Sequence, residues 1–178
     1  ICVFFNDTST TRMYTLPIVG RVRSEEETGL NGRTVENMQL QRQRFRTHIR
    51  AARELGKPLI IHTRSAAEDT LAILREEGET GQGSGRCGGV FHCFTESLAT
   101  AQAALDIGFY ISFSGIITFR NAQDLREVVA HVPLERMLIE TDSPYLAPTP
   151  HRGKLNNPSY VAHVAEQIAS IKQLPIEE

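Results

Sequence analysis

Short apolar runs alternate with segments of helical period from residue 36 onward, and this alternation restricts the fold more than any other feature of the chain. Glu36 to Leu55 places Gln41, Phe45, Ile49 and Ala52 at helical spacing, and Gly56 with Pro58 stops the helix. Pro58-Leu59-Ile60-Ile61-His62 is continuously apolar up to its histidine, which predicts a strand buried on both faces. Ser65 with Glu68 reads as a capping box for a helix that carries Leu71 and Leu74 and ends at Gly78. Gly88 to Phe94 predicts a second strand, Ser97 to Ile107 a helix ended by Gly108, and Phe109 to Ser114 a third strand. Asn121 is expected to cap a helix with Leu125, Val128, Val129 and Val132 on its apolar side. Met137 to Thr141 predicts a fourth strand. Asn157-Pro158 then opens a last helix with Val161, Val164, Ile168 and Ile171 inward.

Strands alternating with helices imply a parallel α/β sheet with crossovers, closed either as a doubly wound open sheet or as a barrel. His62, His92, Ser114 and Asp142 all fall at or just past the ends of their strands, where a (β/α)8 TIM barrel gathers its catalytic groups. No GxGxxG loop follows any strand, as a dinucleotide-binding sheet would require. Four clear strand–helix units are fewer than the about 250 residues of a full barrel supply. The expectation is therefore an incomplete barrel. Gly78 to Gly89 reads as a glycine-rich surface loop, and the first thirty residues fit the alternation poorly.

Composition narrows the function classes. The 178 residues suit one domain with a sizeable core. A formal net charge of -2 argues against a broad nucleic-acid-coating surface, while leaving room for a local basic patch. No apolar run approaches the roughly 18 residues needed to cross a bilayer, so no membrane partner is expected. ICVFF is too short, and lacks the basic flank, for a secretory signal. Three cysteines, Cys2, Cys87 and Cys93, without CxxC spacing, favour a reducing, cytoplasmic setting.

The chemistry concentrates at the strand ends. A divalent metal that activates water needs neutral imidazoles and carboxylates converging on it. A lone histidine is more often a satisfied core or surface residue; His62 and His92, at equivalent places on consecutive strands, are brought to one mouth by a barrel. Glu140 and Asp142 lie two apart and project from one face of a strand. Two carboxylates at a buried strand end are costly unless paired or bound to metal. For Glu140 a cap on the Asp-Ser-Pro turn competes with a catalytic role; for Asp142, metal ligation with orientation or deprotonation of water is the better reading. Arg64, Arg120, and His151, Arg152 and Lys154 in the loop after the last strand suit phosphate oxygens, against a plain alternative of solvated charge or a salt bridge to Glu140. Cys93 is expected to face away from His92 as a small packing residue.

Taken in order, KPLIIHTR, GGVFHCF, FYISFSGIITF, IETDSPYLAP and HRGKLNNP resemble the TatD family of metal-dependent deoxyribonucleases, within the amidohydrolase-like barrels. The resemblance runs from about Gly29 to the end. It implies two divalent ions of the magnesium, manganese or zinc class, held by Glu27, His62, His92 and Asp142. Asp142 and Glu140 are expected to be the catalytic carboxylates, and Arg64, His151 and Arg152 to bind substrate. Glu27-Thr28-Gly29-Leu30 is similar to the family's glutamate motif, with Asn31 where an aspartate is usual. The family's N-terminal His-x-His is not in the sequence, since no histidine precedes His48. The chain is accordingly expected to be truncated at both ends. Residues 1–23 read as foreign sequence, like a translated adapter joined to the gene, and residues 24–178 as the partial hydrolase barrel.

The function implied is hydrolysis of phosphodiester bonds in DNA, or another phosphate-bearing substrate, by a metal-activated water. The same barrel can serve an aminoacyl ester or an amide, because metals and water do not specify the electrophile. A third reading is an inactive fragment that lacks one histidine pair and exposes sheet edges. No protein partner is expected.

Overall fold

Thr28–Asn31 (β1), Leu59–Arg64 (β2), Gly89–Phe91 (β3), Tyr110–Phe113 (β4) and Met137–Ile139 (β5) form one sheet in a computed structural model that describes residues 28–33, 37–79 and 87–176. Every neighbouring pair is parallel and the spatial order is β1-β2-β3-β4-β5. A doubly wound sheet reverses its order at a switch point, whereas the strand order of a barrel follows the chain. The unreversed order settles the closure in favour of barrel-type winding, with five strands in place of the four expected. Met38–Leu55 (α1), Ala67–Glu76 (α2), Leu98–Asp106 (α3), Gln123–His131 (α4) and Val161–Lys172 (α5) follow the strands in turn. Each helix packs on the next. Among the described residues no helix is long and apolar enough to cross a membrane.

The register divides the sheet into two faces. Leu59, Ile61, Phe91, Ile111 and Phe113 share the face that meets the helices, and with Phe45, Ile49, Leu74, Val129 and Val164 they form one core. Helix α1 buries Gln41, Phe45, Ile49 and Ala52, as its period requires, and Gly56 closes it in the left-handed conformation at φ 61. The opposite face carries Ile60, His62 and Arg64 on β2 and Ser112 on β4. Strand β2 is therefore not buried on both faces: Leu59, Ile61 and Thr63 are buried, while Ile60 and His62 are only half-buried. Four residues of continuous apolar sequence cannot distinguish these cases, because Ile60 serves the less covered face equally well.

Two expected caps do not form. Ser65 sits at φ 53 and leaves Ala66 at the N-cap of α2, with no side-chain cap bond. Its backbone N–H instead donates to Glu96 Oε1 at 2.9 Å, and its hydroxyl accepts from Arg33 Nε at 3.0 Å. Asn121 precedes rather than caps α4, whose N-cap is Ala122. Asn157 does cap, accepting from Ser159 N at the short 3-10 turn Pro158–Tyr160 that leads into α5.

Helix α1 is fastened to its neighbour by arginines. Arg42 pairs with Asp69 at 2.6 Å, Arg50 with Glu77 at 2.7 Å and Arg53 with Glu79 at 2.8 Å. Only Glu79 is fully buried, and its other oxygen accepts from the Cys87 amide at 3.0 Å and thiol at 3.2 Å. This joins the two ends of the glycine-rich connection, of which residues 80–86 lie outside the described residues. Burial, and then the Glu79 carboxylate, push the Cys87 thiol up to about 12.

Candidate metal centre

The less covered face of the sheet becomes polar as the strands end. His62 lies on β2, His92 follows β3, Ser114 follows β4 and Glu140 follows β5. Parallel pairing with staggered ends turns four separate sequence positions into neighbours: the His62 and His92 rings have centroids 5.5 Å apart and planes 38° apart. His92 is 4% exposed and Glu140 is fully buried. Glu140 Oε2 accepts from Ser112 Oγ at 2.9 Å, and its Oε1 lies 3.6 Å from His92 Nδ1, just outside hydrogen-bonding range. Burial keeps Glu140 from touching solvent, and its facing partners are Ser112 and His92 rather than any basic loop residue.

The chain then turns sharply. Cys93 has φ 43 and Asp142 has φ 57, both in the left-handed region that non-glycine residues seldom occupy. At Cys93 this breaks the alternation of β3, so the thiol does not face away from His92 as expected. Its Sγ lies 3.2 Å from Ser114 Oγ and 3.7 Å from Asp142 Oδ2. Burial first, then the Glu140 and Asp142 carboxylates, hold this thiol well above its ordinary range, so it is a neutral group at the mouth. Strand β5 stops at Ile139. Glu140 and Asp142 are therefore not two residues of one strand, and it is the turn, not strand alternation, that orients the Asp142 half-buried carboxylate.

Three buried oxygens within four residues, Glu140 Oε1, Thr141 Oγ1 and Ser143 Oγ, make no hydrogen bond to protein. Buried polar atoms almost always have partners, and of the three Glu140 Oε1 is the one placed against an imidazole, 3.6 Å from His92 Nδ1. In donor type the residues fit a divalent metal: two neighbouring imidazoles, an aspartate, and a buried carboxylate behind one imidazole, the usual outer partner of a ligating histidine. In number they are partial. Among the described residues no three His, Cys, Asp or Glu converge closely enough to enclose an ion. Glu27, the fourth expected ligand, lies outside the described residues.

The basic residues separate by role. Arg64 ends β2 exposed, and Arg120 and Lys154 are exposed as well. Arg152 lies with its guanidinium 3.5 Å from the centroid of the Phe119 ring and donates to Ala147 O at 3.0 Å. His151 stacks on Tyr160 with centroids 3.9 Å apart and planes within 7°. The Arg152 contact packs the β5–α5 loop against the β4–α4 connection, where Thr149 N also donates to Thr118 Oγ1 at 2.9 Å, while the His151–Tyr160 stack lies within the loop itself. A residue without an expected role completes the loop. Asn156, 7% exposed, donates through Nδ2 to Thr141 O and Tyr145 O, both at 2.6 Å. The signal available for it was its place in HRGKLNNP.

Comparison with known proteins gives a consistent answer. Residues 24–178 match the model of TatD related DNase. The chain is 58% identical over 153 residues to the uncharacterized metal-dependent hydrolase YcfH of Escherichia coli strain K12, covering 85% of this chain and 56% of that protein. It is 48% identical over 139 residues to the uncharacterized metal-dependent hydrolase YabD of Bacillus subtilis strain 168, covering 78% and 52%. The crystal structure of YJJV, a TatD homolog from Escherichia coli K12, superposes with a TM-score of 0.76 at 26% identity over 85% of this chain and 56% of that one. The chain thus spans about half the length of the curated relatives it matches. With nearly all of residues 24–178 covered, and with the strand-end histidines, the buried glutamate and the Asp-Ser-Pro turn on one face, the chain belongs to the TatD family.

Proposed function

We propose that the parent protein is a metal-dependent hydrolase acting on phosphodiester bonds of DNA, and that this chain carries the half of its site built by Glu27, His62, His92 and Asp142. The observation that carries the reading is the pair of neighbouring imidazoles, His62 and His92, with the buried and unbonded Glu140 Oε1 3.6 Å from His92 Nδ1. When bound, a divalent ion lowers the pKa of water and offsets charge that develops on a phosphate; two ions are the number the family resemblance implies. His62 and His92 present imidazole nitrogens. Glu140 is a positioning residue: facing Nδ1 of His92 at 3.6 Å, its carboxylate favours a proton on Nδ1 and so ligation through Nε2. Asp142 accepts a proton from the attacking water. Arg64, exposed at the end of β2, offers a planar fork to phosphate oxygens. Arg152 and His151 hold the loop in place by stacking on Phe119 and Tyr160. The free thiols Cys87 and Cys93 agree with a cytoplasmic setting.

The test is hydrolysis by the complete gene product with magnesium, manganese or zinc added, across phosphodiester, aminoacyl-ester and cyclic-amide substrates. His92→Ala and Asp142→Asn are each expected to lower the rate on DNA by roughly 100-fold or more. Undiminished activity in both variants overturns the site. A preference for the ester or the amide replaces the substrate class while leaving the ligands in place.

A further inference from the structure

We infer that Asn156 is the positioning residue that sets Asp142, acting through the backbone of the turn rather than through the carboxylate. This rests on Asp142 being a ligand. Asp142 occupies φ 57, a conformation that costs an aspartate free energy and persists only where the surroundings determine it. The carbonyl immediately before it, Thr141 O, accepts from Asn156 Nδ2 at 2.6 Å. Tyr145 O, three residues after it, accepts from the second hydrogen of the same amide at 2.6 Å. The Asn156 backbone N–H donates to Pro144 O at 2.9 Å, and Tyr145 N donates to Asp142 O at 2.9 Å. Asn156 Oδ1 in turn accepts from Asn157 N at 2.9 Å, which fixes which end of the amide carries the donors. One buried side chain therefore clamps both ends of the Asp142–Tyr145 turn. Only asparagine has two donors and one acceptor at this reach: aspartate keeps the acceptor and loses both donors, and serine keeps a single donor.

The experiment is cobalt(II) titration of the full chain after chelation, read by visible absorption and by calorimetry, for wild type, Asn156→Asp, Asn156→Ser, Asp142→Asn and the double variant Asp142→Asn/Asn156→Asp. Asn156→Asp is expected to weaken cobalt binding roughly 10- to 100-fold, the usual loss when an outer partner of a ligand is removed, and to change the absorption band. Asn156→Ser falls between it and wild type, and carries the comparison if Asn156→Asp does not fold. In the Asp142→Asn background the Asn156→Asp substitution has no further effect, because its effect passes through Asp142. Unchanged affinity in both Asn156 variants, or a full Asn156→Asp loss that persists without Asp142, overturns the inference. If Asp142→Asn alone binds cobalt as tightly as wild type, Asp142 is not a ligand, and the site reading fails together with the inference. A loss in Asp142→Asn with none in the Asn156 variants refutes the inference alone.

Discussion

Replacing Glu140 by leucine should make the metal-free chain no less stable while weakening its hold on metal, and the opposite signs test the role given to this carboxylate. Glu140 has no exposed surface, and one of its oxygens makes no hydrogen bond. Taking a carboxylate out of water costs several kcal/mol when it is ionised. Its one protein hydrogen bond, from Ser112 Oγ at 2.9 Å, returns about 1.5–3 kcal/mol. Leucine of similar volume removes both terms and leaves the Ser112 hydroxyl to find another acceptor. Without metal, Glu140→Leu should therefore lie between neutral and about 3 kcal/mol more stable in urea unfolding. With metal the balance reverses. His92 loses the carboxylate opposite Nδ1, and loss of such a partner lowers affinity by roughly 10- to 100-fold, or about 1.4–2.7 kcal/mol. Calorimetric titration of zinc into chelator-treated chain measures that loss directly. Glu140→Gln, which keeps an oxygen that can face Nδ1–H, should lose less. A metal-free Glu140→Leu destabilised by more than about 2 kcal/mol would show a fully satisfied structural carboxylate, and unchanged zinc affinity would refute the positioning role.

Two further expectations concern the scaffold. Burial alone would raise the Glu79 carboxyl, but the hydrogen bonds from Arg53 and from the Cys87 thiol and amide overcome it and hold Glu79 below its ordinary range. A carboxyl depressed on folding contributes stability that is complete above its unfolded pKa, about 4.3, and is lost as pH falls through the folded value; the stability gap between wild type and Glu79→Gln should be constant from pH 7 to 5 and close below about pH 4 in pH-dependent urea unfolding, and a gap independent of pH would contradict the ion-pair account. At Gly115 an added Cβ would lie 2.2 Å from Leu146 O and 3.1 Å from Pro148 N, both backbone atoms, so Gly115→Ala must displace the β5–α5 loop. We expect a loss of about 1–3 kcal/mol by chemical denaturation, accompanied by weaker metal binding; a neutral substitution would mean that the loop is free to move.

What could be read from the sequence depended on whether a local pattern or a tertiary contact decides the position. Helix α1 was legible because Gln41, Phe45, Ile49 and Ala52 repeat at helical spacing and Gly56 terminates them, and each is buried as that period requires. Strands β2 to β5 announced themselves by apolar runs and β-branched residues. Strand β1 did not. Thr-Gly-Leu-Asn has no such signal, and its pairing depends on Gly29, where a Cβ would lie 1.9 Å from His62 O. Ser65 looked like a cap because Glu68 follows at the right interval, yet a hydrogen bond from its own N–H to Glu96, thirty-one residues away, pulls it into the left-handed region. The side on which Cys93 emerges was equally illegible. Counting by twos along a strand fails once the backbone changes sign of φ, and nothing local to His92-Cys93-Phe94 records that change. His62, His92 and Glu140 could be singled out because residues of catalytic type at strand ends are informative before any contact is known, and the structure brings them together. The roles of Glu79 and Asn156 reside in partners distant in sequence.

These misreadings share a physical cause. Ser65 follows β2, Cys93 comes soon after β3 and Asp142 after β5, and all three have positive φ. Each such residue costs on the order of 1–3 kcal/mol, so three at the same end of one sheet is an expensive arrangement for a chain to keep. Ser65 and Cys93 are held by contacts from other connections, Glu96 and Arg33 at Ser65 and Ser114 at Cys93, and Asp142 by Asn156 from farther along its own loop. The hydrophobic core beneath is built mainly from the strands and helices, and Ala66 and Phe94 join it directly after two of these turns. What the turns accomplish is directional. They end the two-residue alternation of the strands and bring side chains that would point apart toward one mouth. Stability resides in the regular elements and chemistry in the departures from them, so substitutions at the three turns should be read first by metal binding and only then by unfolding.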